Sequence, residues 1–97
     1  MSMAERIETK LRAAFRPTAL EVIDDSHRHE GHAGWREGGE THFRVVIVAG
    51  GFAGQSRLER QRAVYAVLAE ELSDGVHALQ ITARAPGEEG NTNGPRY

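Results

Sequence analysis

The chain has 97 residues, of which 39% are hydrophobic and 27% are charged. This length and composition are typical of one soluble globular domain with a modest core. The chain contains no cysteine, which excludes disulfides, thiolate metal sites and cysteine nucleophiles. Its net charge of -2 does not attract nucleic acid globally, so nucleic-acid binding would require a local basic patch.

The sequence contains no apolar run of the roughly 18 residues that a membrane span requires. Its first residues begin an amphipathic pattern instead of the apolar core of a signal peptide. We therefore expect a cytoplasmic protein. We also expect no enzymatic activity, because the sequence shows no nucleophile with a base, no phosphate-binding loop and no HExxH zinc motif.

Hydrophobic periodicity predicts two helices and three strands. The first helix covers residues 4–15, with Ser2 as its N-cap and Glu5 completing a capping box. The other predicted elements are strands at 18–24 and 41–49, a long helix at 57–72 and a strand at 76–84.

The order α-β-β-α-β predicts an α+β fold with a three-stranded mixed sheet. The first two strands are expected to pair antiparallel, and the third, which follows a helical crossover, to pair parallel with the second. The helices are expected to cover one face of the sheet, and the other face to be largely solvated. We expect one domain at residues 1–85 and a disordered tail at 86–97, because the tail is rich in glycine, asparagine, glutamate and proline.

Four of the five histidines lie between Asp24 and Phe43, in a glycine-rich stretch that predicts a loop. The fifth, His77, lies at the start of the third strand. Because parallel strands begin at the same edge of a sheet, the topology predicts that His77 lies near this loop. A metal site is one interpretation, since imidazole binds iron and zinc. The alternatives are a solvated loop histidine and a strand-end histidine bonded to backbone. His42 is predicted to be structural and to point away from this edge.

Several motifs resemble those of the BolA family. They are Ser26-x-x-His29, Gly39-Glu40-Thr41-His42-Phe43, Phe52-x-Gly54-x-Ser56, Arg60-x-Arg62, Leu68-Ala69-Glu70-Glu71-Leu72 and Val76-His77-Ala78-Leu79. The resemblance covers about residues 4–85. It implies a fold similar to type II KH domains.

The resemblance also implies a function in iron–sulfur cluster trafficking or iron sensing. It implies that the chain binds a monothiol glutaredoxin and that the two share a bridging [2Fe-2S] cluster. The glutaredoxin and glutathione would supply thiolates, and this chain two histidines. By the family pattern these are His77 and the loop residue His29, while His32 and His27 are rival loop ligands. A zinc site formed by His29, His32 and His77 is an open alternative.

The alternative function is a nucleic-acid-binding transcriptional regulator. Arg57, Arg60 and Arg62 lie in the first turns of the predicted long helix, where the helix dipole disfavours basic residues. They form either a solvated face or a basic patch for an acidic glutaredoxin surface, glutathione or DNA phosphates.

Gly54 closes the sequence Gly51-Phe52-Ala53-Gly54, which matches the GxxG of nucleotide-binding KH loops. A simple turn is the alternative interpretation. Glu70 and Glu71 lie near the end of the same predicted helix. With basic residues in its first turns and acidic residues in its last, the helix has the charge order opposite to the one that its dipole favours.

Overall fold

The computed structural model describes residues 2–25 and 41–88. Its helices are α1 (Met3–Phe15), α2 (Arg57–Val67) and α3 (Ala69–Asp74), with a 3-10 turn at Gly50–Phe52; its strands are β1 (Ala19–Asp24), β2 (His42–Val48) and β3 (Ala78–Arg84). The sheet has the order β1-β2-β3, and β2 pairs antiparallel with β1 and parallel with β3. The predicted α+β topology is confirmed. No helix in these described ranges is long and apolar enough to cross a membrane.

Both longer helices begin with a capping box. In α1, the Glu5 backbone N–H donates to Ser2 Oγ at 3.1 Å, and the Ser2 backbone N–H donates to the Glu5 carboxylate at 2.8 Å. The N–H of Ser2 stabilises the charged carboxylate and so lowers the pKa of Glu5. In α2, Ser56 and Glu59 make the same reciprocal bonds. These local bonds fix where each helix starts.

The prediction of one continuous helix at residues 57–72 is wrong at Leu68. Leu68 has φ -100° and ψ 19°, outside the α-helical range, and separates α2 from α3. The break places Glu70 and Glu71 in the first turn of α3, where the dipole favours acidic residues. The unfavourable charge order predicted from the sequence therefore does not apply to these two glutamates.

Glu71 is a buried charge that joins α3 to α1. Its side chain is fully buried, and its Oε2 lies 3.0 Å from both the Arg6 guanidinium and the Lys10 ammonium. The backbone carbonyl of Glu71 accepts from the N–H of Val76 at 3.2 Å. Val76 immediately precedes His77. The residue that pairs α3 with α1 therefore also positions the chain where it enters β3.

The core lies between the helices and one face of the sheet, as the sequence predicted. Phe43, Val45 and Ile47 of β2 all point into it. The opposite face carries the exposed Gln80 and the partly exposed Arg44. Further core side chains come from both layers: Met3, Ile7, Leu11, Phe52, Val64, Leu68, Val76 and Ile81.

The structure describes three residues after the predicted domain boundary at residue 85. Pro86 to Glu88 form a turn, and the Glu88 carboxylate accepts from the Arg60 guanidinium at 2.7 and 3.0 Å. This ion pair ties the turn to α2. The rest of the predicted tail, 89–97, and the loop residues 26–40 lie outside the described residues.

Candidate functional site

The N-terminal ends of β2 and β3 meet at one edge of the sheet. The N–H of His77 donates to the carbonyl of Thr41 at 2.7 Å, and the N–H of Asp25 donates to the carbonyl of His42 at 2.7 Å. Asp25 and Thr41, the described residues on either side of segment 26–40, therefore lie at the same edge as His77. The parallel pairing of β2 with β3 confirms that topology brings His77 to this edge. We call Thr41, His42 and His77 the histidine edge.

Two imidazoles lie close together at the histidine edge. The ring centroids of His42 and His77 are 6.4 Å apart. His77 is exposed, whereas His42 is only 7% exposed and its Nδ1 lies 2.9 Å from Thr41 Oγ1. The prediction that His42 points away from this edge is wrong. His42 pairs with Ala78, the residue after His77. Because His77 precedes β3, strand alternation does not direct the side chain of His77 to the face opposite that of His42.

The described residues supply imidazoles but no complete metal site. Within residues 2–25 and 41–88, no group of three or more His, Cys, Asp or Glu side chains converges on one point. The predicted loop ligand His29 and its rivals His27 and His32 lie outside these ranges. Their approach to His77 stays a prediction.

A shallow depression of about 190 Å³ adjoins the histidine edge on the outer face of the sheet. Within this depression, the carboxylate of Asp25 lies 3.3 Å from the guanidinium of Arg44. An acidic and a basic side chain therefore form an ion pair close to the imidazole of His42. Its lining residues come from β2, β3 and the end of β1: Asp25, His42, Phe43, Arg44, Ala78, Leu79 and Gln80.

The three arginines of α2 do not form a patch of equivalent cations. Arg57 and Arg62 are exposed. The Arg60 side chain is only 12% exposed; it donates to the carbonyl of Ala83 at 2.9 Å and pairs with Glu88. Arg60 therefore links α2 to β3 and to the last turn. Partner or nucleic-acid binding by Arg57, Arg60 and Arg62 stays a prediction.

The GxxG match at residues 51–54 forms a turn between β2 and α2. Gly54 has φ +80°, in the left-handed region that favours glycine. Phe52 anchors the turn, with only 1% of its surface exposed and its ring 5.1 Å from that of Phe15. Gly54 therefore lies in a turn, and nucleotide binding by this turn stays a prediction.

Comparison with known proteins agrees with this architecture. The family described as BolA-like protein matches residues 11–88. This chain belongs to the BolA-like family.

Relatives and solved structures cover most of the BolA-like chain. The DNA-binding transcriptional regulator BolA of Escherichia coli is 53% identical over 81 residues, which are 84% of this chain and 73% of that protein. Human BolA-like protein 1 is 50% identical over 84% of this chain and 57% of its own length. The BolA domain of SufE1 from Arabidopsis thaliana has a TM-score of 0.82 and 43% identity, covering 91% of this chain and 96% of that domain.

In this BolA-like chain, sequence reasoning missed two features of the surface. It missed that Glu88, the last residue of the family match, closes onto Arg60; the two residues are far apart in sequence and no local pattern connects them. It also missed the proximity of His42 to His77. The predicted parallel pairing contained that signal, because it sets the first residues of β2 beside those of β3.

Proposed function

We propose that this chain is an adaptor for iron–sulfur cluster trafficking or iron sensing. In this function it binds a monothiol glutaredoxin, and the two proteins share a bridging [2Fe-2S] cluster held on this chain by His77 and His29. The observation that carries the proposal is the exposed His77 at the sheet edge that also holds Asp25 and Thr41, the residues on either side of segment 26–40. Such an adaptor carries the cluster as cargo and needs no catalytic group.

The donor chemistry of this chain fits a shared cluster. Imidazole nitrogen binds iron, and histidine in place of thiolate on one iron raises the reduction potential of a [2Fe-2S] centre. The chain has no cysteine, so any thiolate ligands come from a partner, such as the cysteine of a glutaredoxin and its glutathione. The hydrogen bond from His77 to Thr41 uses only backbone atoms, which leaves the imidazole of His77 for an external ligand.

Chain length limits how far the second histidine lies from the edge. His29 follows Asp25 by four positions, and an extended chain spans at most about 3.5 Å per residue, or about 14 Å in this case. His27 and His32 follow Asp25 by two and seven positions. Reach alone allows all three, and the Ser-x-x-His match favours His29.

The test is to co-express the full chain with a monothiol glutaredoxin and record the visible absorbance of the purified complex. We expect a coloured complex with the wild-type chain. His77→Ala should abolish the absorbance bands or shift them, and His29→Ala should do the same. His27→Ala and His32→Ala are matched controls, because each removes one imidazole from the same loop.

An unchanged spectrum in the His77→Ala complex would contradict the proposal. If His32→Ala or His27→Ala changes the spectrum and His29→Ala does not, the loop ligand is reassigned and the function stands. Circular dichroism of each variant shows whether the fold is intact. We expect it to be intact in His77→Ala, because the side chain is exposed.

The second candidate function is a nucleic-acid-binding transcriptional regulator with a KH-like fold. The name of the Escherichia coli relative favours it, as do the exposed Arg57 and Arg62. If it is correct, duplex DNA should bind with an affinity that falls steeply with salt, and replacing both arginines by glutamine should lower the salt slope by about two. Arg12→Gln on α1 is the control for charge alone.

A further inference from the structure

A groove of about 820 Å³ lies between the first turns of α2 and the outer edge of β3. It is separate from the histidine edge, because Arg84 follows His77 by seven positions, or about 23 Å along an extended strand. We call it the arginine groove. It is lined by Gln55, Arg57, Arg60, Gln61, Ile81, Thr82, Ala83 and Arg84.

One wall of the arginine groove is the unpaired edge of a β-strand. The N–H of Ala78 and the carbonyl of Arg84 bond toward β2, so alternation along a parallel strand turns the backbone groups of Leu79, Ile81 and Ala83 outward. Side chains of α2 cap two of these carbonyls: the Tyr65 hydroxyl donates to Leu79 and the Arg60 guanidinium to Ala83.

Between these two caps, the outward N–H and carbonyl of Ile81 have no hydrogen-bond partner among residues 2–25 and 41–88. Ile81 is nevertheless only 7% exposed, because α2 covers this stretch of β3. The arginine groove therefore runs along a strand that α2 covers, and its length along β3 suits an extended ligand.

The arginine groove already holds one carboxylate, which its own chain supplies. Glu88 accepts two hydrogen bonds from the guanidinium of Arg60, at 2.7 and 3.0 Å, and a third from the N–H of Ala85 at 3.0 Å. A guanidinium fork with a backbone N–H is a strong carboxylate-binding arrangement. The side chain of Glu88 remains 43% exposed, so another carboxylate can displace it without passing through the core.

Positive charge exceeds negative charge in the arginine groove. Arg57 and Arg84 line it beside Arg60, and neither forms an ion pair with any residue that the structure describes. Glu88 neutralises one of the three cations. A ligand that carries more than one negative charge therefore gains attraction beyond the single contact that it takes from Glu88.

We propose that the arginine groove binds an extended acidic segment of a partner protein. A carboxylate of that segment replaces Glu88 on Arg60, and a second carboxylate meets Arg57 or Arg84. Single-stranded nucleic acid fits less well, because its binding sites stack bases on aromatic side chains and none of the eight lining residues is aromatic. Glu88 acts as an internal competitor for the site.

The test uses the full chain and a fluorescein-labelled peptide of seven residues in which glutamate alternates with valine. Fluorescence anisotropy measures its affinity. Glu88→Gln should tighten binding about five-fold, because the internal carboxylate is gone, and Arg84→Gln should weaken it about five-fold. Glu21→Gln on β1 and Arg12→Gln on α1 make the same changes of charge away from the groove, and each should shift the affinity less than about two-fold.

Three results would overturn the proposal. In the first, Glu88→Gln tightens binding no more than Glu21→Gln, or Arg84→Gln weakens it no more than Arg12→Gln. In the second, a peptide with lysine in place of glutamate binds equally well. In the third, a thymidine oligonucleotide binds more tightly than the acidic peptide with the same dependence on Arg84, which assigns the groove to nucleic acid. If Glu88→Gln does not fold, Arg84→Gln with its control decides alone.

This test is independent of the cluster proposal. The peptide experiment contains neither iron nor glutaredoxin, and His77→Ala should leave the affinity for the peptide unchanged. Loss of colour in the glutaredoxin complex and loss of peptide binding therefore report on different sites.

Discussion

The two ends of β3 present functional side chains in opposite ways. At the N-terminal end, the backbone N–H of His77 bonds to Thr41 and the imidazole of His77 is exposed. At the C-terminal end, side chains make the contacts, and the Arg60 guanidinium is occupied by Glu88 and by the carbonyl of Ala83. One end presents an exposed imidazole, whereas at the other a guanidinium is paired with an acid from its own chain.

This difference follows from how each end is anchored. The N-terminal end follows α3, whose Glu71 pairs with Arg6 and Lys10 of α1. The position of His77 therefore depends on the ion pairs of the buried Glu71 carboxylate, which do not involve the imidazole of His77. The C-terminal end depends on a partly exposed ion pair that competing anions and acid can reach.

Removing the buried charge should have the largest effect on stability. Glu71→Ala should lower the free energy of unfolding by about 3 kcal/mol, because Arg6 and Lys10 lose the carboxylate that they share. The loss should lie at the lower end for buried ion pairs, since each of these two cations is 32% exposed and can hydrate. Urea unfolding monitored by circular dichroism measures it.

Glu70→Ala is the matched control for that substitution. Glu70 is the neighbouring acid on α3 and also pairs with Lys10, but its side chain is 77% exposed. Exposed pairs contribute little to stability, so Glu70→Ala should unfold nearly as the wild type does. Equal losses in Glu70→Ala and Glu71→Ala would mean that burial of Glu71 does not set the strength of the cluster.

A smaller loss is expected at the other end of β3. Arg60→Ala removes the hydrogen bonds to Ala83 and Glu88, and should lower the free energy of unfolding by about 1–2 kcal/mol. Arg57→Ala removes the same charge from the same helix at an exposed position and should have almost no effect. If the two variants are equally stable, Arg60 is not the tie between α2 and β3 that its geometry indicates.

The smallest expected effect is the dependence of the free energy of unfolding on pH through Glu88, at the C-terminal end of β3. The Arg60 guanidinium and the N–H of Ala85 lower the pKa of Glu88 from its ordinary 4.5 to about 2. Because this pKa is depressed, the pair stabilises the fold fully above pH 4.5 and loses that contribution as the pH falls through 2. The difference in free energy of unfolding between wild type and Glu88→Gln should therefore shrink across this window. A carboxyl NMR titration with a midpoint near 4.5 would contradict the assignment.

Local patterns in the sequence predicted the elements well. The capping boxes that begin with Ser2 and Ser56, and the alternation of Phe43, Val45 and Ile47, depend on residues a few positions apart, whose contacts a linear pattern records. The break at Leu68 escaped prediction, because the helical pattern continues through it and the ion pairs of Glu71 with α1 join residues more than sixty positions apart.

The sequence by itself determined the order of the three strands and of the helical regions, the absence of thiolate ligands and the position of His77 at the sheet edge that Asp25 and Thr41 flank. Only the tertiary structure decided which side chains are free. It buried His42 beside His77, and it closed Arg60 with Glu88 while leaving Arg57 and Arg84 unpaired within the part of the chain that the structure describes. The physical reason is that periodicity selects the face on which a residue lies, whereas the pairing of a charge depends on which distant residues the fold brings within hydrogen-bonding distance.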